Sequence, residues 1–232
     1  MRAVLLLPVP PSLLLAAALL VPAPADSLAA VLGEMDKAAA AFRSLTARVR
    51  VVRYTHIVRD ETVDEGLIWV KRLRPRVSRL KIEFTSPDRY FVALTDKKAE
   101  VYRPRIAVVE EYDISRFRNL ADQLWMLSFG ASGRDLTSRY TVRPAGEEKV
   151  AGHAAVRLEL LPKSAELLQH IPRLEMWIST ELWQPVQQKI YEITAGDYRL
   201  YTYSDVKWNA AFPDSQLELQ TAPGAKRIYP QK

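Results

Sequence analysis

The chain has 232 residues, 33 Lys and Arg against 27 Asp and Glu, and a formal net charge of +6. It contains no cysteine, which excludes disulfides, thiolate catalysis and cysteine metal sites together. The modest basic excess permits contact with anionic lipid or an acidic surface and does not call for nucleic acid.

Residues 1–25, MRAVLLLPVPPSLLLAAALLVPAPA, combine Arg2, an apolar stretch from Ala3 to Val21 and the small residues of Ala23-Pro24-Ala25. That layout predicts a secretory signal peptide cut after Ala25. Pro8, Pro10 and Pro11 are unfavourable for a spanning helix. A chain starting at Asp26 is then expected in the periplasm, with no cysteine to carry a lipid anchor and a net charge lowered from +6 to about +5 by loss of Arg2. Residues 26–232 have the size of one domain and can bury a core without staples.

An amphipathic helix opens at Asp26 or Ser27 and places Leu28, Val31, Leu32, Met35, Ala39 and Phe42 on one face. Strands follow. TARVRVVRYTHIV alternates through Ala47, Val49 and Val51, then shifts phase to Val52, Tyr54, His56 and Val58, which suggests a bulge. TVDEGLIWVKR contains Gly66, where a bend or close approach is expected. VSRLKIEFTS puts Ser78, Leu80, Ile82 and Phe84 on one face and Arg79, Lys81 and Glu83 on the other. DRYFVALT, AEVYRP and AVVEEYD continue the series, with connections short enough for antiparallel neighbours. A helical stripe of Phe117, Leu120, Leu124, Trp125 and Leu127 interrupts it, ended by Gly130 and Gly133. Strands resume in YTVRPAGEEKV, HAAVRLELLP, RLEMWIST, PVQQKIYEI and DYRLYTYSDVKW, with a helical turn in KSAELLQHI and a last short strand in the tail. The order predicts a mainly β (α+β) protein, a single curved antiparallel sheet with helices buried against its concave side.

Catalytic chemistry is hard to find. His56, His153 and His170 lack the short spacings of metal pairs. Ser132 lies in GASG after a helical stripe, without the G-x-S-x-G spacing of a nucleophile elbow. Glu110-Glu111 and Glu147-Glu148 are adjacent, so in a strand each pair points to opposite faces. We expect no enzyme and no cofactor.

Several segments, in order, resemble the bacterial outer-membrane lipoprotein carrier family, the LolA type. They are FRSLTARVRV, GLIWVKR, IEFTSPDRYFVALTDKKAEVYRP, SFGASGRDL, VAGHAAVRLELLPK, LEMWIST, PVQQKIYE and GDYRLYTYSDVKWN. The chain departs from the family at Asp96-Lys97-Lys98 and at TELWQ before Pro185, both without the usual Gly. The resemblance implies a half-open β-barrel with lid helices over a hydrophobic cavity. It also implies a monomeric carrier of acylated lipoproteins. Such a carrier is loaded by an inner-membrane ABC transporter complex, delivers to an outer-membrane acceptor and makes transient membrane-surface contact. Related folds carry other lipids or serve as lipoprotein-sensing regulatory modules that act on a membrane anti-sigma factor.

By the same resemblance Arg72 matches an arginine that bonds backbone carbonyls of the lid and holds the empty carrier shut. Its other reading is a solvated strand end. Arg74, Arg76, Arg79 and Lys81 form either a charged hairpin tip that keeps the sheet soluble or a docking patch for an acidic transporter loop or anionic head groups. Trp69, Leu80, Ile82, Phe84, Tyr90, Val92, Phe117, Leu124, Leu127, Met176 and Ile178 either fill a core or line the cavity. The residue types serve both, and the resemblance favours the cavity.

Overall fold

The computed structural model describes residues 28–74, 77–95, 97–114 and 129–230. The expected signal peptide, the stripe carrying Phe117, Leu124 and Leu127, and Arg76 lie outside the described residues. Helix α1 spans Leu28–Ala41, followed by strands β1 (Ser44–Thr55), β2 (Asp60–Arg74), β3 (Val77–Ser86), β4 (Tyr90–Leu94), β5 (Lys98–Arg103) and β6 (Val108–Asp113). Helix α2 (Gly133–Arg139) leads into β7 (Tyr140–Val150) and β8 (His153–Pro162). The short α3 (Ala165–Leu168) precedes β9 (Leu174–Ser179), β10 (Pro185–Tyr191) and β11 (Tyr198–Trp208), and the tail ends in β12 (Lys226–Ile228).

The twelve strands of the described residues form one sheet in the order β12-β6-β5-β4-β3-β2-β1-β11-β10-β9-β8-β7. The pairings are antiparallel except β12 with β6, which is parallel. β12 and β7 are its edges and do not pair with each other, so the sheet is an open half-barrel.

Helix α1 covers one half of the concave face. Its Val31 and Met35 pack with Leu136 of α2 and with Leu158, Leu160, Leu174, Met176 and Ile178 of β8 and β9. The expected helix face is the buried one, because a spacing of three and four residues gathers those side chains on one side.

Two local expectations change, and a third, the close approach at Gly66, is met. β1 pairs with β2 in one unbroken register from Ser44 to Thr55. The inward series Ala47, Val49, Val51 therefore continues to Arg53, while the buried Val52 faces the other way; the irregularity against β11 lies between Thr46 and Arg48 instead. Gly133 starts a helix and does not end one: the Ser132 Oγ accepts from the Asp135 N–H at 3.0 Å, a capped N-terminus. Gly66 sits where the β2–β3 register slips, and a Cβ there would lie 2.1 Å from the Glu83 carbonyl oxygen, so only glycine fits.

After β11 the tail crosses the convex face. Asp214 pairs with Lys71, the Glu218 carbonyl accepts from Lys81 Nζ at 3.2 Å, and the Tyr102 hydroxyl accepts from the Ala222 N–H at 3.0 Å. Arg227 Nη1 then reaches Glu100 at 2.6 Å and Glu111 at 2.7 Å, fixing β12 along β6. Burial works against the Glu100 carboxylate, but the bonds from Arg227 and Lys98 outweigh it and hold its pKa below the usual carboxylate range.

Candidate functional site

The half of the concave face not covered by α1 encloses a cavity of about 1480 Å³. Its walls follow from register. Val49 and Val51 of β1 lie beside Gly66 and Asp64 of β2. Ile68 faces Ile82, which faces Val92, and Phe84 faces Tyr90. On the other side Val49 and Val51 meet Tyr203 and Tyr201 of β11. Period-two alternation sends each of these side chains inward. Phe84 and Tyr90 stack with ring centroids 4.5 Å apart. Along β3 the wall runs from Ser78 to Phe84, about 20 Å at ~3.4 Å per residue. At one end it reaches Ile106 and Ile193, both about 60% exposed, so the cavity opens to solvent there.

Leu80, Ile82, Phe84, Tyr90 and Val92 line this cavity. Three residues expected beside them do not. Trp69 points outward, one step out of phase with the buried Ile68 and Val70, and lies against Lys81, whose ammonium is 5.7 Å from its ring. Met176 and Ile178 are fully buried under α1, in filled core. The strands' face was legible, but which half of the sheet the helix occupies depends on strand order.

Arg72 sits at the junction of the two halves. Its Nη1 donates to the Ala39 carbonyl in the last turn of α1 at 2.6 Å, and its Nη2 donates to the Gly130 carbonyl at 2.9 Å. The guanidinium also lies 5.1 Å from the Phe42 ring. Burial lowers the Arg72 pKa, partly offset by Asp135. Gly130 has φ +85, and a Cβ there would lie 2.4 Å from Phe42 and 2.6 Å from Arg72. Its N–H donates to Gln184 Oε1 at 2.7 Å. One side chain of β2 thus fastens the helix end and the 130 loop together.

Of the four residues of the expected docking patch, Arg76 lies outside the described residues. Arg74 and Arg79 are exposed at the β2–β3 hairpin, but Lys81 is only 5% exposed, covered by the tail. An amphipathic strand with an alternating charged face gives no hint that a distant segment will cover that face.

The inward charges were missed. Arg53 and Arg199 both line the cavity. Arg53 Nη2 lies 2.8 Å from Asp64 Oδ2 and donates to the Tyr90 hydroxyl at 3.3 Å. Burial and the neighbouring Asp64 push the Tyr90 hydroxyl up to about 12. Extending the alternation of Val49 and Val51 by one step reaches Arg53, and Tyr203 and Tyr201 lead likewise to Arg199; the assumed phase shift hid the first.

No family model matches the sequence, and no curated protein matches it. Solved structures do match in fold. MucB of Pseudomonas aeruginosa, in its complex with MucA, is 18% identical with a TM-score of 0.50; the match covers 84% of this chain and 63% of that one. The chain therefore spans less than two thirds of the MucB chain. An uncharacterized conserved protein from Thermus thermophilus is 14% identical with a TM-score of 0.53, covering 88% of this chain and 99% of that one. The matches include a LolA superfamily protein from Nitrosomonas europaea, at 14% identity and a TM-score of 0.38 over 81% of this chain and 97% of that one. The open half-barrel expected from the sequence is the architecture that the strand order gives.

Proposed function

We propose that this protein is an exported carrier of acyl chains, and that it moves lipoproteins from an inner-membrane ABC transporter complex to an outer-membrane acceptor. The observation that carries the reading is the apolar cavity of about 1480 Å³ beside a filled core, walled by Leu80, Ile82, Phe84, Tyr90 and Val92. A cavity of this size exceeds the roughly 300–1,000 Å³ of ordinary small-ligand pockets. Each methylene buried in it contributes about 0.8 kcal/mol. The Arg72 bonds to Ala39 and Gly130 are the latch in this reading, at roughly 1.5–3 kcal/mol each. A handful of methylenes therefore outweighs the latch, and the empty carrier closes again once its cargo leaves. In this reading Arg74 and Arg79, exposed at the β2–β3 hairpin, make the transient contact with an acidic transporter loop or a membrane surface.

The test mixes the chain with a triacylated lipoprotein in detergent, removes the detergent and looks for a one-to-one complex by size and mass. The wild type is expected to keep the lipoprotein soluble, and Ile82→Trp, which narrows the cavity at its apolar wall, is expected to retain less of it while keeping its circular dichroism spectrum. Precipitation of the lipoprotein with the wild type overturns the reading.

A second reading, a regulatory module that binds a partner protein, is favoured by the fold likeness to MucB, whose structure is a complex with MucA. A module of that kind binds its partner with Ile82→Trp as it does without the substitution, unless acyl chains gate the contact.

A further inference from the structure

Two arginines stand directly opposite each other at the mouth of the cavity. Arg53 of β1 and Arg199 of β11 are register partners, next to the inward pair Val51 and Tyr201. Both side chains line the cavity and both are about half exposed. Like charges directly opposite on neighbouring strands repel. Each has one carboxylate: Asp64 lies 2.8 Å from Arg53 Nη2, and Glu192 lies 2.7 Å from Arg199 Nε. In each pair one nitrogen of the guanidinium faces its carboxylate, and a fork of five donors has others to offer. The lining carries five arginines, Arg53, Arg89, Arg103, Arg105 and Arg199, and three carboxylates, Asp64, Asp88 and Glu192, while Arg89 and Arg103 are paired with Glu83 and Glu110 outside it. Among the described residues, every basic lining residue apart from His170 is an arginine, the side chain whose planar fork matches phosphate and carboxylate oxygens. Deeper in, the wall turns apolar at Ile82, Val92 and Leu80.

We propose that the cavity takes acyl chains headed by an anionic group, a phosphate or a carboxylate, and that Arg53 and Arg199 together bind that group at the mouth. The proposal rests on the acyl-chain part of the carrier reading and points within it to a lipid cargo, since the acylated cysteine of a lipoprotein bears no phosphate or carboxylate. The chains lie along β3 and β4, and the anion bridges the two guanidinium groups, relieving their repulsion. The Tyr90 hydroxyl, 3.3 Å from Arg53 Nη2, stands at the boundary between the charged mouth and the apolar wall.

The experiment compares lipids that share chains and differ in head. Phosphatidylglycerol is set against diacylglycerol, and oleate against oleyl alcohol, each by displacement of a neutral fluorescent acyl probe. The wild type is expected to prefer the anionic member by about ten- to hundredfold, as loss of charge-assisted hydrogen bonds predicts. A preference in the first comparison alone assigns a phosphate, and in the second alone a carboxylate; both support the proposal. Arg199→Gln, and separately Arg53→Gln with Asp64→Asn to avoid stranding a buried carboxylate, are expected to reduce the preference, read within each variant as the ratio of its phosphatidylglycerol to its diacylglycerol affinity. Equal binding of both members by the wild type, or an undiminished preference in both variants, overturns the proposal and leaves the carrier reading standing. Failure of the wild type to bind any of the four lipids overturns both.

Discussion

Replacing Arg72 by Ala removes both donors that join β2 to the end of α1 and to the 130 loop. The Ala39 and Gly130 carbonyls lose these partners, and the Phe42 ring loses the cation beside it. At the lower end of the range for hydrogen bonds to charged groups, suited to a partly exposed site, two such bonds are worth about 3 kcal/mol. For a domain of this size each kcal/mol moves the melting temperature by roughly 2–4 °C, so Arg72→Ala should melt about 6–12 °C earlier. Arg72→Lys, whose ammonium lacks the fork needed to reach both carbonyls at once, should lose about half as much. Circular dichroism melting gives the stability, and uptake of a fluorescent fatty acid gives the latch. If Arg72 holds the cavity shut, the Ala variant takes up probe faster although it melts earlier. Earlier melting with unchanged uptake makes Arg72 a structural peg alone. A melting shift under about 2 °C, the least that one kcal/mol produces, refutes the hydrogen-bond reasoning itself.

Further predictions separate cavity from core. Met176→Ala, in filled core beneath α1, should cost about 2–5 kcal/mol in denaturant unfolding and leave acyl-probe affinity unchanged. Ile82→Ala, on the cavity wall, should cost less than half of that and weaken the probe roughly tenfold. Gly130→Ala forces a side chain into the left-handed region and against Phe42, and should lower stability by at least about 1–2 kcal/mol, read as an earlier thermal transition. Glu100 has a depressed pKa in the folded chain, so its contribution is complete above the ordinary carboxylate range and fades as pH falls through its lowered folded value. The stability gap between wild type and Arg227→Ala should therefore be full near neutral pH and shrink on acidification, measured by melts at successively lower pH through the carboxylate range; a gap that is constant over that range contradicts the role given to Arg227.

Much of the architecture was legible because it is periodic. The face of α1 is written in the four-residue spacing of Val31, Met35 and Ala39, and the wall of β3 in the two-residue spacing of Leu80, Ile82 and Phe84. What resisted reading depends on contacts far apart in sequence. Met176 and Ile82 are equally apolar strand residues, and only the placement of α1 over β8 and β9 makes one core and the other cavity wall. Lys81 read as an exposed cation because nothing local shows that the tail near Glu218 will cover it. Arg53 was lost for a different reason. Keeping apolar residues on one face required an assumed bulge, whereas the register with β2 is continuous and delivers a charge to the interior. A break in hydrophobic alternation is ambiguous between a bulge and a site, and at Arg53 the strand keeps its phase.

The central claim is that the space under β1 to β5 holds acyl chains. Native mass spectrometry of the protein isolated from its own producing cells tests it most directly, with release and identification of whatever is bound. A bound molecule carrying one or more long acyl chains is expected, at lower occupancy in Ile82→Trp. A protein that stays at its bare mass, even after incubation with lipoprotein and with anionic lipid in detergent, contradicts it.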